Sequence, residues 1–333
     1  MTLRFGILGA ARIAPKALTV PAQQVHSAEM VLVAARDRAR AEAFAAEHGV
    51  AGVADSYQAV IDSPDVDVVY NPLPMHLHAE WTIAALRAGK HVLCEKPFAS
   101  NAAEAAEMVR VADETGMVLG EAFHHVYHPM FRRIIDLIAA GTIGNVVRAE
   151  GYFNISIPQP DIRWDYATSG GSLMDLGCYS TIWVRHVLQA SPDAGAAAEP
   201  DVVHAVAEEG PEHIDAQIQA ELVFPNEATG RVESSMVAET PDIRLEVMGT
   251  KGSLTAINPL APQNGNALTI RTDQGETSGQ IVGGTTYEHM VRAFCDHVTH
   301  GTPFPTKGAD SIANMAAIDA MYSAAGLPLR GAN

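Results

Sequence analysis

The sequence predicts an α/β protein of two domains: an N-terminal doubly wound parallel sheet, then an α+β domain whose sheet is largely antiparallel. Three observations predict it. The chain has 333 residues, more than a single hydrophobic core usually organises. Its first third alternates short apolar runs with amphipathic stretches, the pattern of successive βαβ units. Beyond residue 123 the texture changes to longer runs of alternating polar and apolar residues, as in strands with one wet face.

In the first domain, taken as 1–122, strands are expected near Leu3–Gly9, Met30–Arg36, Val66–Asn71, His91–Glu95 and Val118–Glu121. Helices are expected between them, near Ile13–Ala22, Arg38–His48, Ala79–Ala88 and Ala102–Thr115. Ser100–Asn101 supplies a helix N-cap, and Gly49, Gly89 and Gly116 stand where C-terminal glycines belong. In the second domain, 123–333, strands are read at Val146–Ile155, Ile214–Phe224, Gly230–Val237 and Ile243–Gly249. Ser191–Pro200 and Asn258–Gly265 read as surface loops. The closing apolar segment, Asp310–Ala325, reads as a helix that packs back on the first domain.

Composition narrows the function. Hydrophobic residues make up 47% and charged residues 18%, enough apolar material for two cores. A formal charge of −17 disfavours duplex DNA and anionic membrane, which recruit Lys and Arg, and leaves a small polar molecule as partner. The three cysteines, Cys94, Cys178 and Cys295, form no CxxC and no zinc spacing, which indicates neither a disulfide framework nor a metal and fits a reducing compartment. The N-terminus reads as a first strand rather than a signal peptide, and no run of about 18 apolar residues occurs, so the expected location is cytoplasmic.

The first strand runs into Gly6-Ile-Leu-Gly9-Ala-Ala11-Arg12-Ile13-Ala14. Against the dinucleotide pattern G-x-G-x-x-G, only Gly9 keeps its glycine, with Ala11 and Ala14 in the other two places. The turn alone is a weak signal, with a plain strand-to-helix connection as its alternative. The end of the second strand sharpens it. NAD-binding chains usually carry Asp or Glu there for the ribose hydroxyls, and a carboxylate repels a 2′-phosphate. Here Ala35 takes that position and Arg36 follows, a guanidinium suited to a phosphate. NADP is therefore expected over NAD, with Arg12 and Arg38 as helpers. Arg38 and Arg40 also read as a solvated helix face, and Asp37 keeps NAD open.

Five motifs then occur in order: GILGAARIAPKAL, YNPLPMHLHAEW, EKPFA, EAFHHVYHP and GGSLMDLGCY. Together they resemble the glucose–fructose oxidoreductase / inositol dehydrogenase / MocA family, in its trans-dihydrodiol dehydrogenase and NADP-dependent aldose (xylose) 1-dehydrogenase branch. The resemblance spans nearly the whole chain. It implies a Rossmann fold at the N-terminus, an open C-terminal sheet that forms a homodimer or homotetramer, and hydride exchange between NADP and a carbinol carbon of a sugar, polyol or cyclic diol. It places the catalytic lysine at Lys96, in Glu95-Lys96-Pro97. Only five lysines occur in the chain, and one just beyond a strand's carboxyl end stands where open α/β sheets bind ligands.

In the last motif Asp175 and Tyr179 are four residues apart and share one helix face. Oxidising a carbinol needs a group that takes the hydroxyl proton. A Tyr hydroxyl does so once its pKa of about 10 is lowered by an adjacent ammonium, the role given to Lys96. Asp175 is then expected to orient Lys96 or the substrate hydroxyl. Many inositol-dehydrogenase-like members carry His where Tyr179 stands, so this chain sides with the dihydrodiol and glucose–fructose branches. His186 lies two turns further on, too far to substitute.

The resemblance also places Pro72, Leu73 and His78 against the nicotinamide side, although His78 equally suits a cap for the following helix. Glu95 and Glu121 end strands at the same crevice. Arg163 and Trp164 suit polyol binding or a structural anchor. His124, His125 and His128 lack a suitably spaced carboxylate and are read as a helix entrance, not a metal site. Two other functions remain on the same fold: a non-catalytic NADP-binding regulator, and an enzyme reducing an imine or enone.

Overall fold

The computed structural model describes residues 2–195 and 199–331. Residues 196–198 of the expected loop Ser191–Pro200, and the last two residues of the second domain, lie outside them. The chain forms two compact units, Met1–His124 with Tyr287–Ile312 and His125–Thr286 with Ala313–Asn333.

The first unit is built on a six-stranded sheet. Its strands are β1 (Leu3–Leu8), β2 (Ala28–Ala34), β3 (Gly52–Val53), β4 (Val68–Asn71), β5 (His91–Cys94) and β6 (Leu119–Glu121). They lie in the order β3-β2-β1-β4-β5-β6, every pairing parallel. This is the doubly wound order with its switch point between β1 and β4. All four residues of β4 are buried, as expected of a strand covered on both faces.

The connections after β1 are a π-helical turn, Pro15–Thr19, leading into the short α1 (Val20–Ala22). Then come α2 (Arg38–His48), α3 (Tyr57–Asp62), α4 (His78–Arg87) and α5 (Ala102–Thr115). Asn101 caps α5, its Oδ1 accepting the Glu104 N–H at 3.0 Å, and the Glu104 carboxylate accepts the Ser100 N–H at 2.9 Å. Gly49 and Gly116 close α2 and α5 in the left-handed conformation. Strand β3 and helix α3 were not read from the sequence. The strand has two residues, and α3 has six, fewer than two helical turns.

The second unit carries α7 (Cys178–Gln189) against an eight-stranded mixed sheet, with α6 (Pro129–Ala139) beside α7. The strands are β7 (Val146–Ser156), β8 (Asp201–Glu209), β9 (Asp215–Val223), β10 (Thr229–Ser235), β11 (Val237–Gly249), β12 (Gly252–Ile257), β13 (Ala267–Thr272) and β14 (Gly275–Gly279), in the order β14-β13-β12-β11-β7-β10-β9-β8. Within this sheet, among the described residues, β7 and β10 pair in parallel and the other neighbours antiparallel. Ala149, Phe153, Val232, Leu245 and Val247 bury one face. The other carries ion pairs, Arg148–Glu150 and Arg231–Glu233 along single strands and Arg148–Glu221 between strands, and the Arg244 guanidinium lies 3.9 Å from the Tyr152 ring centroid.

Two helices follow, α8 (Thr286–His300) and α9 (Ala309–Ala324). The closing helix was expected on the first domain. From Ala313 onward it clusters with the second unit, and it is 287–312 that joins the first. No helix among the described residues is long and apolar enough to cross a membrane.

Candidate functional site

In the first unit the residues singled out by sequence gather at the carboxyl ends of β1, β2, β4 and β5. Gly9 follows β1 with φ +94°, a region that L side chains rarely adopt, and an added Cβ would stand 3.2 Å from Leu73 Cδ2. Its N–H donates to the Ala34 carbonyl at 2.6 Å, which ties this turn to the end of β2. Ala14 is fully buried in ordinary helical geometry, so alanine meets the close-packing demand of the third glycine position. Ala11, Arg12 and Ile13 line the turn between them.

At the end of β2, Arg36 is exposed. The carboxylate of Asp37, which kept NAD open, caps α2 by accepting the Ala39 N–H at 2.9 Å. Arg38, expected to assist at the phosphate, instead pairs with Glu42 at 2.9 Å and with Asp55. Two residues that the sequence reading did not assign stand closer to the turn. The Arg40 guanidinium donates to the Ala10 carbonyl at 3.3 Å. The Tyr57 hydroxyl lies 3.8 Å from the position of a Gly9 Cβ, and its ring meets Trp81 edge-on at 5.1 Å. Burial raises the Tyr57 phenol, and the charges of Arg36 and Arg40 oppose that rise. Arg40 lies one helical turn after Arg36, and Tyr57 follows the N-cap Ser56; these were the available signals.

The loop after β4, with Pro72 and Leu73, is held from within. The Asn71 amide donates to the His78 carbonyl at 3.2 Å and to Thr82 Oγ1 at 3.1 Å. His78 is 1% exposed, with Nε2 2.8 Å from the Leu73 carbonyl and Nδ1 2.9 Å from the Pro97 carbonyl. Its ring therefore braces the two loops rather than presenting a nitrogen to a cofactor, and it caps no helix.

Burial lowers the His78 imidazole to about 4, against the Pro97 and Leu73 carbonyls that favour its charged form, and lowers His124 to about 3, with the Lys96 charge adding to both. A folded-state pKa below the ordinary 6.5 means that the unfolded chain binds the proton more tightly. The stability these rings contribute is complete above pH 6.5 and is lost as pH falls toward 4. Between pH 7.5 and 4.5 unfolding free energy should drop by roughly 2–3 kcal/mol from His78 alone. Urea midpoints at the two pH values measure it, and a His78→Gln protein with the same pH dependence would contradict it.

Lys96, half-buried, follows β5 and joins Pro97 through a cis peptide bond. Beside it the Glu95 carboxylate accepts the Tyr70 hydroxyl at 2.6 Å. The His124 and Tyr287 rings lie 4.0 Å apart, and the Lys16 ammonium stands 5.7 Å from the Tyr287 centroid. Glu121, fully buried at the end of β6, is fixed through its backbone: Thr306 Oγ1 donates to its carbonyl at 2.7 Å.

In the second unit Gly170-Gly171-Ser172 leads into a π-helical turn, Leu173–Gly177, that continues as α7. Asp175 lies on the turn and Tyr179 in the first turn of α7. The Asp175 carboxylate is 2.6 Å from Arg163 Nε, and Arg163 also meets Asp161 at 3.2 Å. The Asp175 charge raises the Arg163 pKa. The sequence reading had separated these two residues, giving Arg163 to substrate and Asp175 to Lys96 or the substrate hydroxyl. Tyr179 packs its ring near His125, Phe153 and Trp183, at centroid distances of 5.5, 5.7 and 6.3 Å. Trp164 is buried, its indole N–H donating to the Ile157 carbonyl at 2.9 Å, so it serves as an anchor. His128 accepts the Met130 N–H at 3.1 Å as the N-cap of α6. No group of three or more His, Cys, Asp or Glu among the described residues is arranged for a metal ion.

Comparison with known proteins agrees with this architecture. Residues 3–123 match the oxidoreductase family GFO_IDH_MocA, NAD-binding Rossmann fold, and residues 131–255 match the GFO/IDH/MocA C-terminal domain. The chain is 36% identical over 330 residues to a D-xylose 1-dehydrogenase (NADP(+)) of Haloferax volcanii, covering 97% of each protein. It is 32% identical over 262 residues to trans-1,2-dihydrobenzene-1,2-diol dehydrogenase of Bos taurus, covering 78% of this chain and 75% of that one. Among solved structures, a 3-ketoreductase from Actinomadura kijaniata in complex with NADP and TDP-benzene superposes with a TM-score of 0.87 at 27% identity, covering 97% of this chain and 98% of the other. With that extent of similarity, on a dinucleotide-type sheet followed by a mixed open one, the chain belongs to the GFO/IDH/MocA family of NAD(P)-dependent oxidoreductases.

Proposed function

We propose that this oxidoreductase moves a hydride between NADP and a carbinol carbon of a sugar, polyol or cyclic diol. The observation that carries the reading is Lys96 at the carboxyl end of β5, in the unit whose β1 ends in the positive-φ turn at Gly9. The turn fits the cofactor. Its backbone is open at Gly9, the end of β2 bears no acidic side chain aimed at a ribose, and Arg36, Arg40 and Tyr57 gather polar hydrogens suited to a 2′-phosphate. Arg12, Ile13, Pro72, Leu73 and Glu95 complete the cofactor side.

When bound, the nicotinamide accepts or returns the hydride. On oxidation Tyr179 takes the hydroxyl proton and on reduction it gives the proton back. Lys96 supplies the positive charge that favours the phenolate. Asp175, held by Arg163, orients the hydroxyl. The named relatives act on a pentose and on a cyclic diol, which supports that substrate class. The polar face of the eight-stranded sheet is the surface through which we expect a homodimer or homotetramer, and the three free, buried cysteines are consistent with a cytoplasmic setting.

The test is a screen of NADP reduction over aldoses, inositols and cyclic diols, run in parallel with NAD. Turnover at least tenfold better with NADP is expected, and Arg36→Ala should narrow that preference. An absence of turnover on every alcohol, with NADP still bound, would favour the regulator.

A further inference from the structure

The second unit holds a buried ionic cluster to which none of the roles above assigns a function. Asp215, at the start of β9, is 0% exposed, as is Arg330 in the segment after α9. Arg330 Nη2 donates to Asp215 Oδ1 at 2.7 Å, and the Tyr322 hydroxyl donates to the same oxygen at 2.9 Å. Asp215 Oδ2 accepts the Ser172 hydroxyl at 2.9 Å and the Leu173 N–H at 2.7 Å. Each carboxylate oxygen thus has two donors, the condition under which a buried charge is tolerated. Arg330 is held equally well: Nε donates to the Gly170 carbonyl at 2.6 Å, Nη1 to the Pro328 carbonyl at 2.8 Å, and the guanidinium stacks 4.0 Å from the Tyr322 ring centroid.

Three of these contacts end on one turn: the Ser172 hydroxyl, the Leu173 N–H and the Gly170 carbonyl are bonded directly, and Gly171 leaves space for the cluster. At φ +133° a Cβ on Gly171 would stand 2.7 Å from the Tyr322 hydroxyl and 2.9 Å from Arg330 Nη2, as well as colliding with Asp215 Oδ1. The paired glycines of this motif are therefore explained by an internal approach, with no call for a phosphate. The turn in turn fixes the proton-handling segment. The Gly171 carbonyl accepts the Asp175 N–H at 3.1 Å, and the Gly171 N–H donates to the Arg163 carbonyl at 2.9 Å, so the turn sets both partners of the Arg163–Asp175 pair.

We propose that Asp215 and Arg330 are positioning residues: a buried ion pair that locks the Gly170–Ser172 turn and thereby sets where Asp175 and Tyr179 stand. The inference rests on the hydride-transfer reading for its kinetic consequence only. A small displacement of groups that must meet a substrate within hydrogen-bonding reach costs about a hundredfold in rate, whereas loosening this turn leaves the cofactor residues of the first unit unchanged.

The test uses the full chain with Arg330→Ala, Arg330→Lys and Tyr322→Phe. Arg330→Ala is expected to lower kcat about 10- to 100-fold with the NADP dissociation constant, read by fluorescence, unchanged. Added guanidinium ion should restore part of the loss, and Arg330→Lys should fall between. Hydrogen exchange at the Leu173 amide should quicken in each variant. Unchanged kcat in Arg330→Ala, a kcat loss matched by an equal loss of NADP affinity, or no recovery with either guanidinium or lysine would each overturn the proposal. Should Arg330→Ala not fold, Tyr322→Phe, which removes one donor, decides: unaltered exchange at Leu173 overturns the lock. A wild-type protein without turnover on any alcohol defeats the hydride-transfer reading, while the exchange comparison still judges the lock.

Discussion

Lys96→Met is expected to lower kcat about a thousandfold, with a much smaller change in NADP affinity. Methionine keeps an unbranched apolar stem nearly as long as that of lysine and removes the charge with its hydrogen-bond donors. At pH 7.5 a phenol of ordinary pKa is ionised in about one molecule in 300, so without a nearby ammonium Tyr179 is a poor proton acceptor. The remaining activity should climb with pH toward 10, where the wild type has levelled off. Steady-state rates from pH 6 to 10 with saturating NADP and alcohol read both effects. Turnover equal to that of the wild type would remove Lys96 from the mechanism.

Tyr179→Phe should cost about 10²- to 10⁴-fold in kcat, the usual range for a lost general acid–base group. The ring survives this change, and with it the packing near His125, Phe153 and Trp183. Stability and NADP binding should therefore stay close to wild type, which separates loss of a proton carrier from loss of structure. A variant changed in KM alone would show that the hydroxyl binds substrate without carrying its proton. In the Lys96→Met background the same substitution should add little, because in the proposed mechanism the two residues act on one proton.

Much of the first unit was legible because its signals are local. The cap at Asn101 and its Glu104 partner lie three residues apart, and the glycines that close α2 and α5 follow directly on their helices. Buried parallel strands such as β4 announce themselves as short apolar runs, here Val68–Tyr70. The second unit was read less completely. Strand β8 exposes most of its residues and β14 exposes all five, so neither shows a clean apolar face. Helix α6 was read only as an entrance at His124–His128, without an extent, although its His128 cap and Pro129 start are both local signals.

By itself the sequence determined the two-domain α/β plan, the turn at Gly9, the missing acidic residue at Ala35 and the spacing of Asp175 and Tyr179, since each depends on neighbours within a turn or a strand. Tertiary structure alone decided what the charged and polar side chains do. Arg38 is captured by Asp55, Asp175 by Arg163, and His78 by the Pro97 carbonyl 19 residues away. The Asp215–Arg330 pair joins positions 115 residues apart. Ionic and hydrogen-bonding side chains are long and satisfied by whichever partner the strand order brings near, so their roles follow from topology and burial rather than from local pattern.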